Sequence, residues 1–522
     1  MNSSNAPALF RSLIVYAICV PLAIFVGYYL ASFANSPDYS SMIFLGILGA
    51  LLVMPILLRW HYPLLIFSWS APIILFFIPG TPNLWIVMVM VSLGLSILER
   101  IIASNNHFVR VPQITWPLIA FTGIVVLTAY MNGGFGLRAA GSSTYGGRKY
   151  ITLFLGIASY FALTSRAIPA NKARLYAGLY FLGAGFAFIG DTYPLAPSWL
   201  EPIYWVFRPS NIGDNPFEVG VTRLGGVGGA AVAVFTWLVA RHGLRGIFME
   251  GKLWRPLLLG LMGVVTLLGG YRTSLWIEML IFGLAFFIEG LHRTWLLAPL
   301  LILMVMGAVA LVPLASHLPF TFQRALAFLP LELDSEARAS ADASTGWRFN
   351  MWTALLQEEV PQHLLLGKGY AFSSEEYGEM MNNGAMATAE GTFDAGQNGL
   401  ALAGDYHNGM LSLVIPFGIW GVLAFLWYAV AGLWVMYRNM RYGREELRTI
   451  NNVLFIVFLN EFVSYVSCFG GLAISGDMAF LNGMLGMSVA LNNGVCRPQK
   501  TSDQTVFSAP ERALLPAAAL QS

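Results

Sequence analysis

Apolar and polar residues alternate along this chain in long blocks, not in the short periods of a soluble helix or strand. Runs rich in Leu, Ile, Val, Phe and Ala recur near 13–33, 42–58, 62–79, 83–98, 115–130, 150–165, 175–191, 224–240, 256–270, 275–291, 296–315, 409–437, 449–469 and 477–491. A helix crosses a bilayer core with about 20 mostly apolar residues, and roughly 17–25 is the working range. The pattern therefore predicts an all-α, polytopic transmembrane helix bundle of about 12–14 spans, the uncertainty lying in the shorter runs. Two connections are long. Residues 192–223 are rich in Pro and Trp, and 316–408 form the one large polar segment, with surface helices expected inside it. Long loops of this kind are either functional or disordered.

Composition sharpens this picture. The chain has 522 residues, 57% hydrophobic and 11% charged, against roughly 25% charged in a soluble domain. The net charge of +2 matters less than where the charges lie. With the N-terminus inside, most of the 29 Lys and Arg residues fall on the inner face, as the positive-inside rule requires. The outside minority includes Arg272, Arg324, Arg338, Arg348 and Lys368. No dense basic face suggests nucleic acid, and Cys19, Cys468 and Cys496 have no zinc or redox spacing. Ser32 and Ala34 have the spacing of a cleavage site, but the run before them exceeds a signal core of about 7–15 residues. The segment 11–34 is read as a retained span. The chain divides into helices over 1–255, helices carrying the Arg272 motif over 256–315, a large loop over 316–408, helices over 409–491 and a disordered inner tail over 492–522.

The chemistry gathers around the large loop. Arg272 stands at the outer end of a hydrophobic hairpin, in Gly269-Gly270-Tyr271-Arg272-Thr273-Ser274. A guanidinium so near hydrocarbon needs a carboxylate, a cavity or an anionic ligand. Residues 346–357 read as an amphipathic helix, with Trp347, Met351, Trp352, Leu355 and Leu356 on one face. Pro361 is expected to stop it, and Leu366-Gly367-Lys368-Gly369-Tyr370 supplies a turn. A polar stretch over 373–405 leads to Asp405-Tyr406-His407-Asn408, directly before the next span.

Each of these residues also has a plain structural reading. Arg272 could snorkel or pair with Glu278 on its own helix, and Arg348 could be a solvated or headgroup-binding charge. His407 could be interfacial, and Asn408 a helix N-cap. Glu461, beside Asn460 inside a span, is an intramembrane ionisable group with either a functional or a structural partner. Asp191, Glu278 and Asp477 fall near outer span ends, and Lys368 is placed to help hold phosphate. The many Trp and Tyr residues read as interfacial belts.

The order of the pieces resembles the O-antigen ligase and polymerase family of bacterial membrane glycosyltransferases. In that family an arginine follows a Gly/Ser-rich span end. A large periplasmic loop then carries an Arg-x-x-x-Trp helix, a Pro…Leu-hydrophobic-Gly-x-Gly turn and a closing His-Asn before a glycine-containing helix. Here these correspond to Arg272, to Arg348 with Trp352, to Pro361 through Gly369, and to His407-Asn408 before Ile415-Pro416-Phe417-Gly418-Ile419-Trp420-Gly421. The resemblance covers roughly residues 260–437. It departs at Tyr271, where a small residue is usual, and in the length of the 373–405 stretch.

The resemblance implies transfer of a glycan from a polyprenyl (undecaprenyl) diphosphate carrier to an acceptor hydroxyl, at the periplasmic face of the bacterial inner membrane. Arg272 and Arg348 then bind the substrate diphosphate, His407 is the catalytic base, and Lys368, Asn408, Glu278 and Glu461 are supporting candidates. The residue chemistry agrees: planar guanidinium donors suit phosphate oxygens, and an imidazole takes a proton near neutral pH. No metal ligands and no cofactor are expected, although Glu375-Glu376 and Glu390…Asp394 stay open as acidic pairs. The expected partners are the lipid-linked glycan donor, a glycolipid, polysaccharide or protein acceptor, and membrane lipids. The alternatives are a repeat-unit polymerase of the same family and a lipid-linked glycan transporter or flippase. A transporter predicts internal repeats and charges near the midplane.

Overall fold

The structure, a computed structural model, describes residues 21, 27–28, 39–78, 80–102, 108–138, 141–209, 223–390, 401, 403–467, 470–473 and 476–498. Most of the expected span at 13–33, the Ser32/Ala34 site, Cys19, Cys468, Asp394 and most of the expected tail lie outside these residues.

The fold is all-α, and among the described residues the β pairings are two isolated bridges, Ile74 with Asn83 and Tyr145 with Phe372. Its longer helices are α1 (Tyr39–Ser68), α2 (Leu84–Ile102), α3 (Pro112–Met131), α4 (Gly147–Leu163), α5 (Ala170–Asp191, with 3-10 turns at its start and over Gly183–Ala187), α6 (Gly225–Phe248), α7 (Trp254–Gly269), α8 (Arg272–Ile288), α9 (Leu297–Leu314), α10 (Ser335–His363), α11 (Ser374–Glu390), α12 (Leu411–Tyr442), α13 (Arg448–Ser467) and α14 (Asp477–Asn492). Seven helical segments among the described residues are long and apolar enough to cross a membrane. Shorter helices such as α4, α7, α8 and α14 complete the multi-pass bundle.

α14 is the axis of the bundle. It buries every residue from Asp477 to Leu491 except Phe480. Glycines let its neighbours approach, as small residues do between membrane helices. A Cβ on Gly486 would stand 2.8 Å from the Leu163 side chain of α4. Asn482 Nδ2 donates to the Gly156 carbonyl at 2.9 Å, and the Tyr428 hydroxyl of α12 donates to Asn482 Oδ1 at 2.8 Å. In contrast, α9 buries none of its residues. It faces the space that lipid would fill.

Three expectations about elements change. The runs at 42–58 and 62–79 are not two spans; Tyr39–Ser68 is one helix, and the chain then leaves it for an extended turn. The polar residues at the junction of those runs have partners inside the bundle. His61 Nδ1 lies 2.9 Å from Ser92 Oγ, and the Tyr62 hydroxyl donates to the Leu163 carbonyl at 2.7 Å. The helix expected over 346–357 begins earlier, at Ser335, where the Asp334 side chain accepts the Glu336 N–H, and it carries Pro361 in its last turn. Of its expected apolar face, Met351 and Leu355 pack with Trp347 and Trp352 against Tyr406, Leu411 and Ile415, whereas Leu356 is exposed. Residues 493–496, expected to begin the tail, instead close α14 against α12. Asn439 Nδ2 donates to the Gly494 carbonyl at 3.1 Å, and the Cys496 N–H donates to Asn439 Oδ1 at 2.9 Å.

Candidate active site

A turn between α7 and α8 presents Arg272. Gly270 adopts a left-handed φ of 65°, which glycine takes without strain, and α8 begins at the arginine itself. Tyr271 fits because Gly225 leaves room for its ring, to which a Cβ on that glycine would come within 3.2 Å. Arg223 lies over the same ring at 5.4 Å. Arg272 does not pair with Glu278. Its Nη2 donates to the Ala341 carbonyl and to Thr345 Oγ1, each at 3.2 Å, and so docks α10 onto the membrane helices.

Arg348 follows Thr345 by three residues on α10, which puts both on one helix face. Its Nη1 donates to the Ser344 carbonyl at 2.7 Å, and its guanidinium lies 5.1 Å from the Trp347 ring centroid. Burial, and then the positive charge of Arg272, push the Arg348 guanidinium below its ordinary pKa, against the pull of Asp405. Two like charges that act on each other in this way favour an anion between them.

Both arginines line one cavity of about 650 Å³. On α13 the cavity meets Glu461, Ser464 and Ser467, three residues apart and hence a polar stripe on one side of the helix. Asp477 completes this wall, with Oδ2 accepting the Gly471 N–H at 2.8 Å. One cavity thus has a cationic wall and a hydroxyl- and carboxyl-bearing wall.

The segment before α12 lies against α10. Trp352, which also lines the cavity, donates its Nε1–H to the Tyr406 carbonyl at 2.8 Å. His407 has a left-handed φ of 48°, an uncommon conformation for a non-glycine residue. Its ring meets the Trp347 ring edge-on, with centroids 5.4 Å apart. Its Nδ1 lies 3.2 Å from Asp405 Oδ1, which leaves Nε2 to face a reactant. His407 is not among the residues that line the arginine cavity; it reaches the cavity through Trp347, on which Arg348 also packs. Burial would raise the Asp405 carboxyl, but the hydrogen bond and charge of His407, with Lys149 behind them, hold it below the usual carboxylate value. Asn408 caps α12, its Oδ1 accepting the Leu411 N–H at 3.1 Å.

The other sequence candidates separate from this centre. Glu278 is buried on α8, accepts the Thr266 hydroxyl at 2.7 Å, and faces an apolar cavity of about 590 Å³ along α7, α8 and α9. That cavity adjoins the first at Met279, which lines both. Lys368 pairs with Glu359 at 2.8 Å and lines a third, polar pocket. Among the described residues no group of three His, Cys, Asp or Glu side chains is placed to hold a metal ion. Sequence reasoning gave no role to Asp405 or Thr345. The signal for Asp405 was present, a carboxylate two residues before the histidine; Thr345 carried none.

Residues 257–426 match the family described as O-antigen ligase. The match takes in Arg272, Arg348 and His407 and ends before Glu461 and Asp477. No curated protein matches the chain.

Proposed function

From the premise that residues 257–426 are an O-antigen ligase region of a multi-pass membrane protein, we propose that this chain moves a glycan from a polyprenyl (undecaprenyl) diphosphate to an acceptor hydroxyl at the periplasmic face of the inner membrane. The observation that carries the proposal is the convergence of Arg272 and Arg348 on one cavity at the mouth of the bundle. Cleaving a glycosyl diphosphate leaves negative charge on the departing group. Two guanidiniums, preorganised by Ala341, Thr345, Ser344 and Trp347, stabilise that charge without reorganising.

In this reading the diphosphate rests on Arg272 and Arg348. The acceptor hydroxyl gives its proton to Nε2 of His407, whose Nδ1 is held by Asp405. The acceptor oxygen bonds to the anomeric carbon, the carbon–oxygen bond to the diphosphate breaks, and the electron pair leaves with the diphosphate. Attack from the face opposite the leaving group inverts the anomeric centre, and the arginines take the role a metal ion has in other glycosyl transfers. Glu461 and Asp477 accept hydrogen bonds from sugar hydroxyls on the opposite wall. The description of the matched family, O-antigen ligase, is the ground for reading ligation ahead of polymerisation.

The test uses purified full-length protein, a polyprenyl-diphosphate glycan, mixed envelope glycolipids and EDTA, with released polyprenyl diphosphate and acceptor mass as readouts. Transfer in EDTA that disappears in Arg272→Ala, Arg348→Ala and His407→Ala supports the reading. One added chain per acceptor identifies a ligase, and a ladder of repeat units a polymerase. No transfer from an intact, matched donor overturns the reading in favour of a transporter.

A further inference from the structure

The third pocket encloses about 390 Å³ and is walled by Lys149, Glu359, His363, Lys368, Glu376 and Tyr406, among others. α10 walls two pockets in succession. Thr345, Arg348 and Trp352 face the arginine cavity; Glu359 and His363 face this one, roughly 16 Å beyond Arg348 at the helical rise. Between them runs the segment that carries His407. The Tyr406 carbonyl is bonded to Trp352 of the first cavity, while Gly404 and Tyr406 line the second.

The walls of this pocket are charged but balanced. Glu359 Oε2 holds Lys368 at 2.8 Å and lies 3.5 Å from His363 Nε2. The Lys149 amine donates to the Ala403 carbonyl. Glu376 Oε2 accepts the Ser373 N–H at 2.6 Å. An anion entering here meets two carboxylates, and a cation meets two amines. A hydrocarbon chain would strip water from all of them. A polyol, which offers donors and acceptors side by side, can pair with both kinds of group.

We propose that this pocket is the acceptor-side subsite. It binds saccharide units of the acceptor, so that the hydroxyl to be glycosylated meets His407 from the side away from the arginine cavity. The proposal rests on the transferase reading above. It reassigns Lys368, through Glu359, to sugar hydroxyls in place of phosphate.

The probe is the lipid-free oligosaccharide released by mild acid from the envelope glycolipids of the source cell. Its affinity for full-length protein is measured calorimetrically for wild type, Glu376→Gln, Glu359→Gln and Thr144→Trp, where the last fills the pocket from a half-buried position. Glu359→Gln and Thr144→Trp should weaken binding by about tenfold or more, and the acceptor KM should rise in the same ratio with the donor KM unchanged. Glu376 is exposed, so Glu376→Gln, which should weaken binding several-fold, tests the site without threatening the fold. Failure of wild type to bind, undiminished binding by the variants, or a parallel rise in donor KM overturns the subsite. Binding that Thr144→Trp removes, in a protein with no transfer activity, leaves the saccharide site standing and overturns the transferase reading instead.

Discussion

Gly369 donates its backbone N–H to the carbonyl of Pro416 at 2.8 Å, joining the large loop to a break in a membrane helix. α12 is interrupted at Pro416 and Gly418, the latter with φ 65° and ψ −169°. The backbone groups freed there are taken up by the loop. Lys368 N–H donates to the Ile415 carbonyl at 2.9 Å, and Ile419 N–H donates to the Leu364 carbonyl at 2.7 Å. Unsatisfied backbone groups at membrane depth cost several kcal/mol each, so the Leu364–Gly369 turn and the break require one another.

Gly367→Ala should therefore lower the melting temperature strongly or prevent folding. Its φ is 66°, and a Cβ there would stand 2.3 Å from the Pro416 carbonyl oxygen. Gly378→Ala on α11, with nothing within 4 Å of its Cβ, is the control and should melt no lower than wild type. Equal melting of both variants would contradict the interlock.

Replacing either arginine by lysine should not rescue transfer. Lysine keeps the charge and loses the planar fork, so Arg272→Lys and Arg348→Lys should each reduce kcat by about 100-fold or more. Single-turnover release of polyprenyl diphosphate measures this directly. Near-wild-type rates would mean that only charge matters.

The Asp405–His407 pair makes a pH-dependent contribution to stability. The folded-state pKa of Asp405 is depressed, so the contribution is fully present above the unfolded carboxylate value of about 3.9 and is lost as pH falls through the lower folded value. The melting-temperature gap between wild type and Asp405→Asn should be constant from neutral pH down to the carboxylate range and close below it. A gap that widens with acid would refute the assignment. The same variant should lower kcat more than KM, since it frees the imidazole without removing it.

Trp352→Phe keeps the ring near the cavity and deletes the Nε1–H bond to the Tyr406 carbonyl. A neutral hydrogen bond contributes about 1 kcal/mol, so in a chain of this length a melting shift of about one degree is expected. A fall in kcat beyond that shift would show that the bond also aims His407.

The class of fold is legible in this chain because lipid burial appears in sequence as unbroken apolar runs. That Arg272 and Arg348 belong together was legible only through the family resemblance, because each residue alone also had a plain structural reading. The partner of Arg272 was not legible. Glu278 looks available at six residues' distance, but six residues turn a helix by about 600°, leaving the two side chains pointing apart. The real partners, Ala341 and Thr345, lie across the loop. The surroundings of Lys368 were hidden for a similar reason: its backbone N–H goes to the break in α12 and its amine to Glu359, both distant in sequence or across the turn. Arg59, Trp60 and His61 separated two apolar runs; that His61 meets Ser92 and the adjoining Tyr62 meets Leu163 inside the bundle shows why one continuous helix forms there.

The contrast between α9 and α14 bears on how this chain can change over generations. α9 buries no residue, so any apolar residue of ordinary helix propensity serves at most of its positions, and its sequence is free to drift. α14 is enclosed almost throughout, and each substitution there must find a compensating change in α4, α12 or α13. Diverged copies of this protein should therefore be hardest to align at their lipid-facing helix and easiest at their last one, which lies beyond the region that the family match covers.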